Sequence, residues 1–243
     1  MTAPIPLNGI SSMATRLLLA DLCAAQAAHG RLLPAFISVG GVDAARRVQA
    51  GERFDIVMLA DDALGQLAAA GLVGEPCGIT CSAVAIAIPA DANLPDVGSE
   101  AALRETLLAA RAIGYSTGPS GAALLALIER MGLSASLKDR LVQSPAGVPV
   151  ARMLAEGQVS LGFQQLSELM NAPGIRILGG MPPGCEILTV FAAAVGKDSA
   201  QPEAAAEFIR FMRSAEAAAL IGRHGMTPAV RHPQDAAASL PAA

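Results

Sequence analysis

Short apolar runs and longer amphipathic stretches alternate along this chain. Residues 54–60 (FDIVMLA) are apolar at almost every position, as is typical of a parallel strand covered on both faces. Between such runs, apolar side chains recur three or four positions apart, as with Leu18 and Leu22, which predicts amphipathic helices. Strands that alternate with helices imply right-handed βαβ crossovers, so the pattern predicts an α/β fold.

The boundaries of the predicted strands and helices follow from turn residues and helix-capping residues. The predicted strands are 5–10, 34–39, 54–60, 79–89, 111–115, 141–144, 159–165, 175–179 and 187–195. The predicted helices are 13–30, 44–52, 63–73, 99–111, 122–132, 149–157, 166–171 and 202–225, with Gly30 and Gly132 as stops and Asp43 as an N-cap.

Hydroxyl-rich or glycine-rich turns lie between strands and helices. The fullest is Ser116-Thr117-Gly118-Pro119-Ser120-Gly121, after an apolar strand and before a leucine-rich helix. Free backbone N–H groups and the helix dipole make such a place an anion site, although the same residues are also ordinary helix caps. Repetition favours the anion site. Turns of this kind precede four predicted helices, at Ser11-Ser12, Gly40-Gly41-Val42, Ser120-Gly121 and Gly147-Val148.

The composition of the chain limits the kinds of partner that the protein is expected to bind. A length of 243 residues suits one large domain or two small ones, and 53% hydrophobic residues with no Trp, one Tyr and six Phe predict a core of Ala, Leu, Val and Ile. The net charge of −4 and the absence of a Lys/Arg run argue against nucleic acid. No apolar run is long enough for a transmembrane helix, so we expect no membrane insertion.

The first residues, Met1 to Pro6, lack the basic start and apolar run of a secretory signal. As written, the sequence predicts a cytoplasmic protein, and a periplasmic one if a signal peptide has been removed. Cys77 and Cys81 are four positions apart, but no histidine or second cysteine pair stands at zinc spacing. We therefore interpret the four cysteines as free or structural thiols and expect neither a metal nor a cofactor.

Two segments carry a family resemblance. Residues 46–61 (RRVQAGERFDIVMLAD) and 150–163 (VARMLAEGQVSLGF), with the SxGPSG turn, resemble the molybdate-binding proteins and the wider type 2 periplasmic solute-binding family, a group that includes aconitate isomerase. The resemblance covers residues 5–228. It implies two α/β lobes joined by crossing strands, with a ligand cleft between them. The implied first lobe is 1–80 with 190–243 and the second is 83–186, and we expect the tail 229–243 to be disordered.

The sequence departs from the molybdate binders at two places. They have a serine where this chain has Gly41 and Val42, and a tyrosine where it has Gln165. Each lost hydrogen bond costs about 1–3 kcal/mol, which favours an organic carboxylate over a compact oxyanion. The amides of Gln164 and Gln165 can donate and accept, or they form a solvated strand end. The predicted ligand-binding residues are Ser11, Ser12, Gly41, Val42, Ser116, Thr117, Ser120, Gly121, Gly147, Val148, Gln164 and Gln165.

Two functions remain open. The first is binding of a small anion, with a transporter membrane component as partner if the protein is exported. The second is an isomerase similar to aconitate isomerase, which needs a base. Asp61 and Glu186 are the candidate bases, with Asp62 and His224 also possible, although Asp61 and His224 are also natural helix caps. No HExxH, GxxxxGK[ST] or GxGxxG motif supports another chemistry.

Overall fold

A computed structural model describes residues 7–28 and 34–229 of the chain. The predicted helix stop at Gly30 and the predicted disordered tail beyond residue 229 lie outside these residues, so both stay predictions. Strands and helices alternate through most of the described part of the chain.

The strands join one mixed sheet with the order β2-β1-β3-β9-β4-β7-β5-β6, while β8 and β10 pair with β4. Pairing is parallel from β2 through β1 to β3 and among β5, β6 and β7, and antiparallel wherever β4 or β9 takes part. The strands are β1 Asn8–Ser12, β2 Ala35–Val39, β3 Ile56–Ala60, β4 Cys77–Pro89, β5 Ile113–Tyr115, β6 Leu141–Gln143, β7 Leu161–Gln165, β8 Ile175–Gly180, β9 Leu188–Val195 and β10 Met226–Pro228.

The helices cover both faces of the sheet. They are α1 Arg16–Ala28, which follows a 3-10 turn at Met13–Thr15, α2 Gly41–Gln49, α3 Asp61–Ala69, α4 Glu100–Ala109, α5 Pro119–Arg130, α6 Ser134–Leu137, α7 Val150–Ala155, α8 Leu166–Leu169, α9 Pro202–Met212 and α10 Ala215–Arg223. The alternation of strands and helices is interrupted where α6 follows α5, β9 follows β8 and α10 follows α9. The stop at Gly132 is confirmed, since Gly132 follows the last residues of α5 with φ +69°.

Four details of the secondary structure differ from the prediction. The single helix over 202–225 is wrong, because the Ser214 hydroxyl accepts a hydrogen bond from the Ala217 N–H at 3.1 Å and starts a new helix. Asp43 is not an N-cap, since α2 begins earlier, after Gly40. The short elements α6 and β10 were not predicted at all.

Strand β3 shows why the continuous apolar run was informative. All of its residues are buried, and its side chains alternate between two hydrophobic clusters. Ile56 and Met58 pack with residues of α1 and α9, whereas Val57 and Leu59 pack with residues of α2 and α3. The strand is therefore covered by helices on both faces, as the run predicted.

The two long strands β4 and β9 cross between two lobes. The first part of β4 pairs with β9 and β10, and its last part pairs with β7 and β8. The hydrophobic clusters change over between Ile79 and Val84 on β4 and between Ile187 and Phe191 near β9. This is the two-lobed fold that the resemblance implied. For the lobe limits we retain 1–80 with 190–243 and 83–186 as a proposal.

Candidate functional site

A cavity of about 500 Å³ lies where strands of both lobes end. Ligands of open α/β sheets bind at the carboxyl ends of the strands, so this is the expected position. We call its two sides the first-lobe wall and the second-lobe wall. The first-lobe wall contains Ser12, Gly40, Gly41, Val42, Ala45, Arg46, Gln49, Ala60, Ala63 and Gln66, and the second-lobe wall contains Ser116, Thr117, Ser120, Ser144, Gly147, Val148, Gln164, Gln165 and Glu168.

Helix N-termini from both lobes reach this cavity. Gly40, Gly118 and Pro149 are the N-cap residues of α2, α5 and α7, and all three line it. Ser12 caps the 3-10 turn, accepting the Ala14 N–H at 3.4 Å. First-turn N–H groups have no partner inside their helix, so those that no side chain or turn carbonyl occupies are available as donors to an anion. The structure thus brings together all four turns identified in the sequence.

The hydroxyls of the second-lobe wall are held by a tight turn. The hydroxyl oxygens of Ser116 and Ser120 are 2.9 Å apart and hydrogen-bonded to each other. A Cβ at Gly121 would lie 1.9 Å from the Ser116 carbonyl oxygen, so only glycine fits there. Gly121 does not line the cavity, but it allows α5 to pack directly against the turn that does.

Gln164 is built into the second-lobe wall and is only 3% exposed. Its Oε1 accepts a hydrogen bond from the Ala151 N–H at 3.3 Å, and its Nε2 donates one to Glu168 Oε1 at 2.8 Å. The alternative of a solvated strand end is therefore wrong. The side chain links the first turn of α7 to a carboxyl group in the cavity.

Gln165 is also 3% exposed. Its Nε2 donates a hydrogen bond to the Thr189 hydroxyl at 2.7 Å, and Thr189 lies in the cavity on the crossing strand β9. Its Oε1 is buried and has no hydrogen-bond partner among the described residues. An unpaired buried acceptor is costly, which is a reason for a ligand to supply a donor here.

Glu168 is a titratable residue of the cavity that the sequence reasoning missed. It lies in the cavity on α8, the short helix that follows β7. Burial raises the pKa of its carboxyl to about 7, against a smaller lowering by the hydrogen bond from Gln164. The available signal was a carboxyl group only three residues after the polar strand end Gln164-Gln165, in the first turn of the helix that follows.

Arg46 provides positive charge on the first-lobe wall. Its guanidinium bonds the Asp43 carboxylate and its side chain is 77% exposed. Water therefore screens it, and its attraction for a bound anion is weaker than that of a buried cation.

Four predicted site residues do not line the cavity. Ser11 is fully buried and bonds the Ser38 hydroxyl at 2.8 Å, and Gly121 lies behind its turn. Asp61 is exposed at the start of α3, where Ala60 rather than Asp61 is the N-cap. Glu186 is exposed and accepts the Gly184 N–H at 2.8 Å. Neither candidate base thus faces the cavity as predicted, because a position at a strand end does not fix the direction of a side chain.

Three further features of the described residues concern metal ions, disulfides and membrane-spanning helices. Within residues 7–28 and 34–229, no group of three or more His, Cys, Asp or Glu side chains could hold a metal ion. The four cysteines form no disulfide. None of the described helices has the length and apolar character needed to cross a bilayer.

Comparisons with known proteins agree with this architecture. The sequence pattern of a family described as bacterial extracellular solute-binding protein matches residues 7–227. An aconitate isomerase from a Pseudomonas species is 34% identical over 190 residues, which are 77% of this chain and 72% of that protein.

Solved structures show the same fold at low identity. The periplasmic molybdate-binding protein of Azotobacter vinelandii is 19% identical with a TM-score of 0.77, over 93% of this chain and 100% of that one. The binding protein AgtB of A. tumefaciens R10, in complex with agropinic acid, is 12% identical with a TM-score of 0.68, over 93% and 84% of the two chains.

Proposed function

Because this chain belongs to the bacterial extracellular solute-binding protein family, we propose that it binds a small organic carboxylate in the cavity between its lobes. One observation carries the proposal: helix N-termini from both lobes converge on one cavity of about 500 Å³. The first-turn N–H groups that remain free, those of Gly41 and Val42 on α2, Ser120 on α5 and Val150 on α7, bind negative charge without a salt bridge.

Three features favour an organic anion over a tetrahedral oxyanion. The cavity has the size of a site for an organic molecule, so an ion of five atoms would fill little of it. The buried Gln165 Oε1 needs a hydrogen-bond donor, which a hydroxyl or an acid proton of an organic ligand can supply and a fully deprotonated oxyanion cannot. Val42 brings no hydroxyl to the first-lobe wall.

A thermal-shift screen tests this function directly. The panel contains molybdate, tungstate, sulfate and a series of di- and tricarboxylates with and without hydroxyl groups. Since a ligand that binds the native state raises its stability, we expect a millimolar carboxylate to raise the melting temperature. A rise with molybdate or tungstate alone would contradict the proposal.

A matched pair of serine variants locates the site. Ser120→Ala removes a buried hydroxyl of the second-lobe wall, whereas Ser136→Ala changes an exposed serine on α6. We expect Ser120→Ala to weaken carboxylate binding by about five- to tenfold, as loss of a hydrogen bond of about 1 kcal/mol or more implies. We expect Ser136→Ala to leave the dissociation constant unchanged. Equal effects of the two would place the ligand elsewhere.

A second function, isomerisation of an unsaturated polycarboxylate, is favoured by the identity with an aconitate isomerase and by a carboxyl group inside the cavity. A binder returns its ligand unchanged, and an isomerase does not. Proton NMR of cis- and trans-aconitate in deuterated water distinguishes them, because the isomerase interconverts the two. If the ligand returns unchanged and the protein is exported, its partner would be a transporter membrane component.

A further inference from the structure

We propose that Glu168 is the acid–base residue of this cavity, taking a proton from a carbon atom of a bound unsaturated polycarboxylate and returning it at the other end of a shifted double bond. The inference rests on the isomerase candidate above and names the group that performs its proton transfer. The geometry of β7, α7 and α8 supports the inference.

The first observation is the position of the carboxyl. Strand β7 ends at Gln165 and α8 begins at Leu166, so Glu168 stands within the first turn after the strand. It lies in the cavity together with the N-cap residues of α2, α5 and α7. A substrate whose carboxylates bind these helix ends therefore places its carbon chain beside Glu168.

The second observation is how the carboxyl is held. The Ala151 N–H donates to Gln164, and Gln164 Nε2 donates to Glu168 Oε1 at 2.8 Å. These two hydrogen bonds fix one carboxyl oxygen of Glu168. Among the described residues, none donates a hydrogen bond to the second oxygen, Oε2, which leaves it available to a substrate.

The third observation is electrostatic. No ion pair with Glu168 occurs among the described residues, and burial keeps its pKa near 7, so both protonation states are populated at neutral pH. Arg46 is engaged with Asp43 on the opposite wall, and Arg16 lines a smaller neighbouring cavity. His224 precedes Gly225, which lies against Leu166 and Met170 of the α8 segment. The His224 Nε2 is 3.0 Å from the Asp21 carboxylate oxygen Oδ2.

The proton transfer balances without a further reactant. The Glu168 carboxylate removes H⁺ from a CH₂ group that lies between a carboxylate and a C=C bond. The C–H electron pair spreads over the three-carbon unit and its carboxylates, where helix N–H groups stabilise the added charge. The neutral Glu168 then returns H⁺ to the far carbon, and the double bond has moved by one position.

A second cavity predicts that the transferred proton exchanges with solvent. Glu168 also lines a smaller cavity of about 220 Å³, together with Arg16 and Asn171. Because this cavity also opens to water, the proton held by Glu168 can exchange with solvent between removal and return. In deuterated water the substrate should therefore gain deuterium at carbon during isomerisation.

The experiment compares wild type, Glu168→Gln, Glu168→Asp and the control Glu105→Gln, which alters an exposed carboxyl on α4. Deuterium incorporation and interconversion of cis- and trans-aconitate are followed by NMR between pH 5 and pH 9, and dissociation constants and melting temperatures are measured alongside. We expect the wild-type rate to rise with pH through about 7, the pKa of Glu168, because the base must be ionised.

We expect Glu168→Gln to lower exchange at least a hundredfold and to abolish the pH dependence, with binding changed less than tenfold. Glu168→Asp should retain a measurable rate, and Glu105→Gln should match wild type. Full exchange by Glu168→Gln would overturn the inference while leaving the isomerase function standing. Binding of a carboxylate without exchange by wild type would overturn both, and leave carboxylate binding intact.

Discussion

The two walls of the cavity differ in how they present polar groups. On the first-lobe wall the polar side chains of Arg46, Gln49 and Gln66 are exposed, between glycine, alanine and valine positions. On the second-lobe wall, Ser120, Ser144, Gln164 and Gln165 are buried. Exposed groups exchange water for ligand at little net gain, whereas buried groups lose strongly when left unpaired. The second-lobe wall should therefore decide which ligand binds, and the first-lobe wall should add helix N–H groups and weak positive charge.

The largest expected effect comes from breaking the second-lobe wall. Gly121→Ala places a methyl group 1.9 Å from the Ser116 carbonyl oxygen, so the turn that holds both serine hydroxyls must shift. We expect the free energy of unfolding to fall by about 1–3 kcal/mol and carboxylate binding to fall strongly, measured by denaturant titration and calorimetry. Gly222→Ala, at an exposed position of α10, meets no atom within 4 Å and should keep at least wild-type stability. Equal stability of the two variants would contradict this account of the turn.

A matched pair across the walls gives the next effect. Gln165→Leu removes a buried amide, and we expect about 5- to 150-fold weaker binding of the best carboxylate, corresponding to 1–3 kcal/mol. Gln66→Leu alters an exposed amide on the first-lobe wall and should weaken binding by less. Calorimetric titration measures both. A larger loss for Gln66→Leu would reverse the comparison.

Arg46→Gln should have a smaller effect. The exposed guanidinium contributes about 0.2–1 kcal/mol, so we expect binding to weaken by a factor of about 1.4 to 5 at low salt, with less difference from wild type at high salt. Arg210→Gln, on the outer helix α9, is the control. A salt-independent loss above tenfold for Arg46→Gln would mean that this guanidinium bonds the ligand directly in a desolvated site.

The last effect concerns the stability of the ligand-free protein rather than ligand binding. Burial raises the folded-state pKa of Glu168 above its ordinary value, so its favourable contribution is present below the unfolded pKa and is lost as pH rises through about 7. Glu168→Gln lacks this loss. We expect its melting temperature, relative to wild type, to be higher at pH 8 than at pH 5, by differential scanning fluorimetry. Glu105→Gln should show no such difference between the two pH values, and a similar one would show that burial of Glu168 is not the cause.

The sequence predicted the parts of this molecule that depend on local pattern. Continuous apolar runs such as β3 require helices on both faces, and glycine or serine turns at strand ends bring N-caps to one edge of the sheet. Both features are set by a few consecutive residues, so the α/β class and all four turns could be predicted from the pattern, whereas the two-lobed arrangement was implied by the family resemblance.

The residues that were missed depend on contacts between distant segments. Glu168 follows an apolar strand in a short helix, and its place in the cavity depends on the packing of α8 against the 3-10 turn and on the hydrogen bond from Gln164. Asp61 was favoured because it follows β3, yet its side chain points to solvent. The break at Ser214 was missed because the apolar spacing continues across it, although the serine cap was present in the sequence.

A crystal structure grown with the carboxylate that gives the largest thermal shift tests the central claim most directly. The account predicts carboxylate oxygens at the N-termini of α2, α5 and α7, with the carbon chain beside Gln165 and Glu168. A ligand bound outside this cavity would contradict the account. A tetrahedral oxyanion that occupies the cavity and is not displaced by the carboxylate would also contradict it.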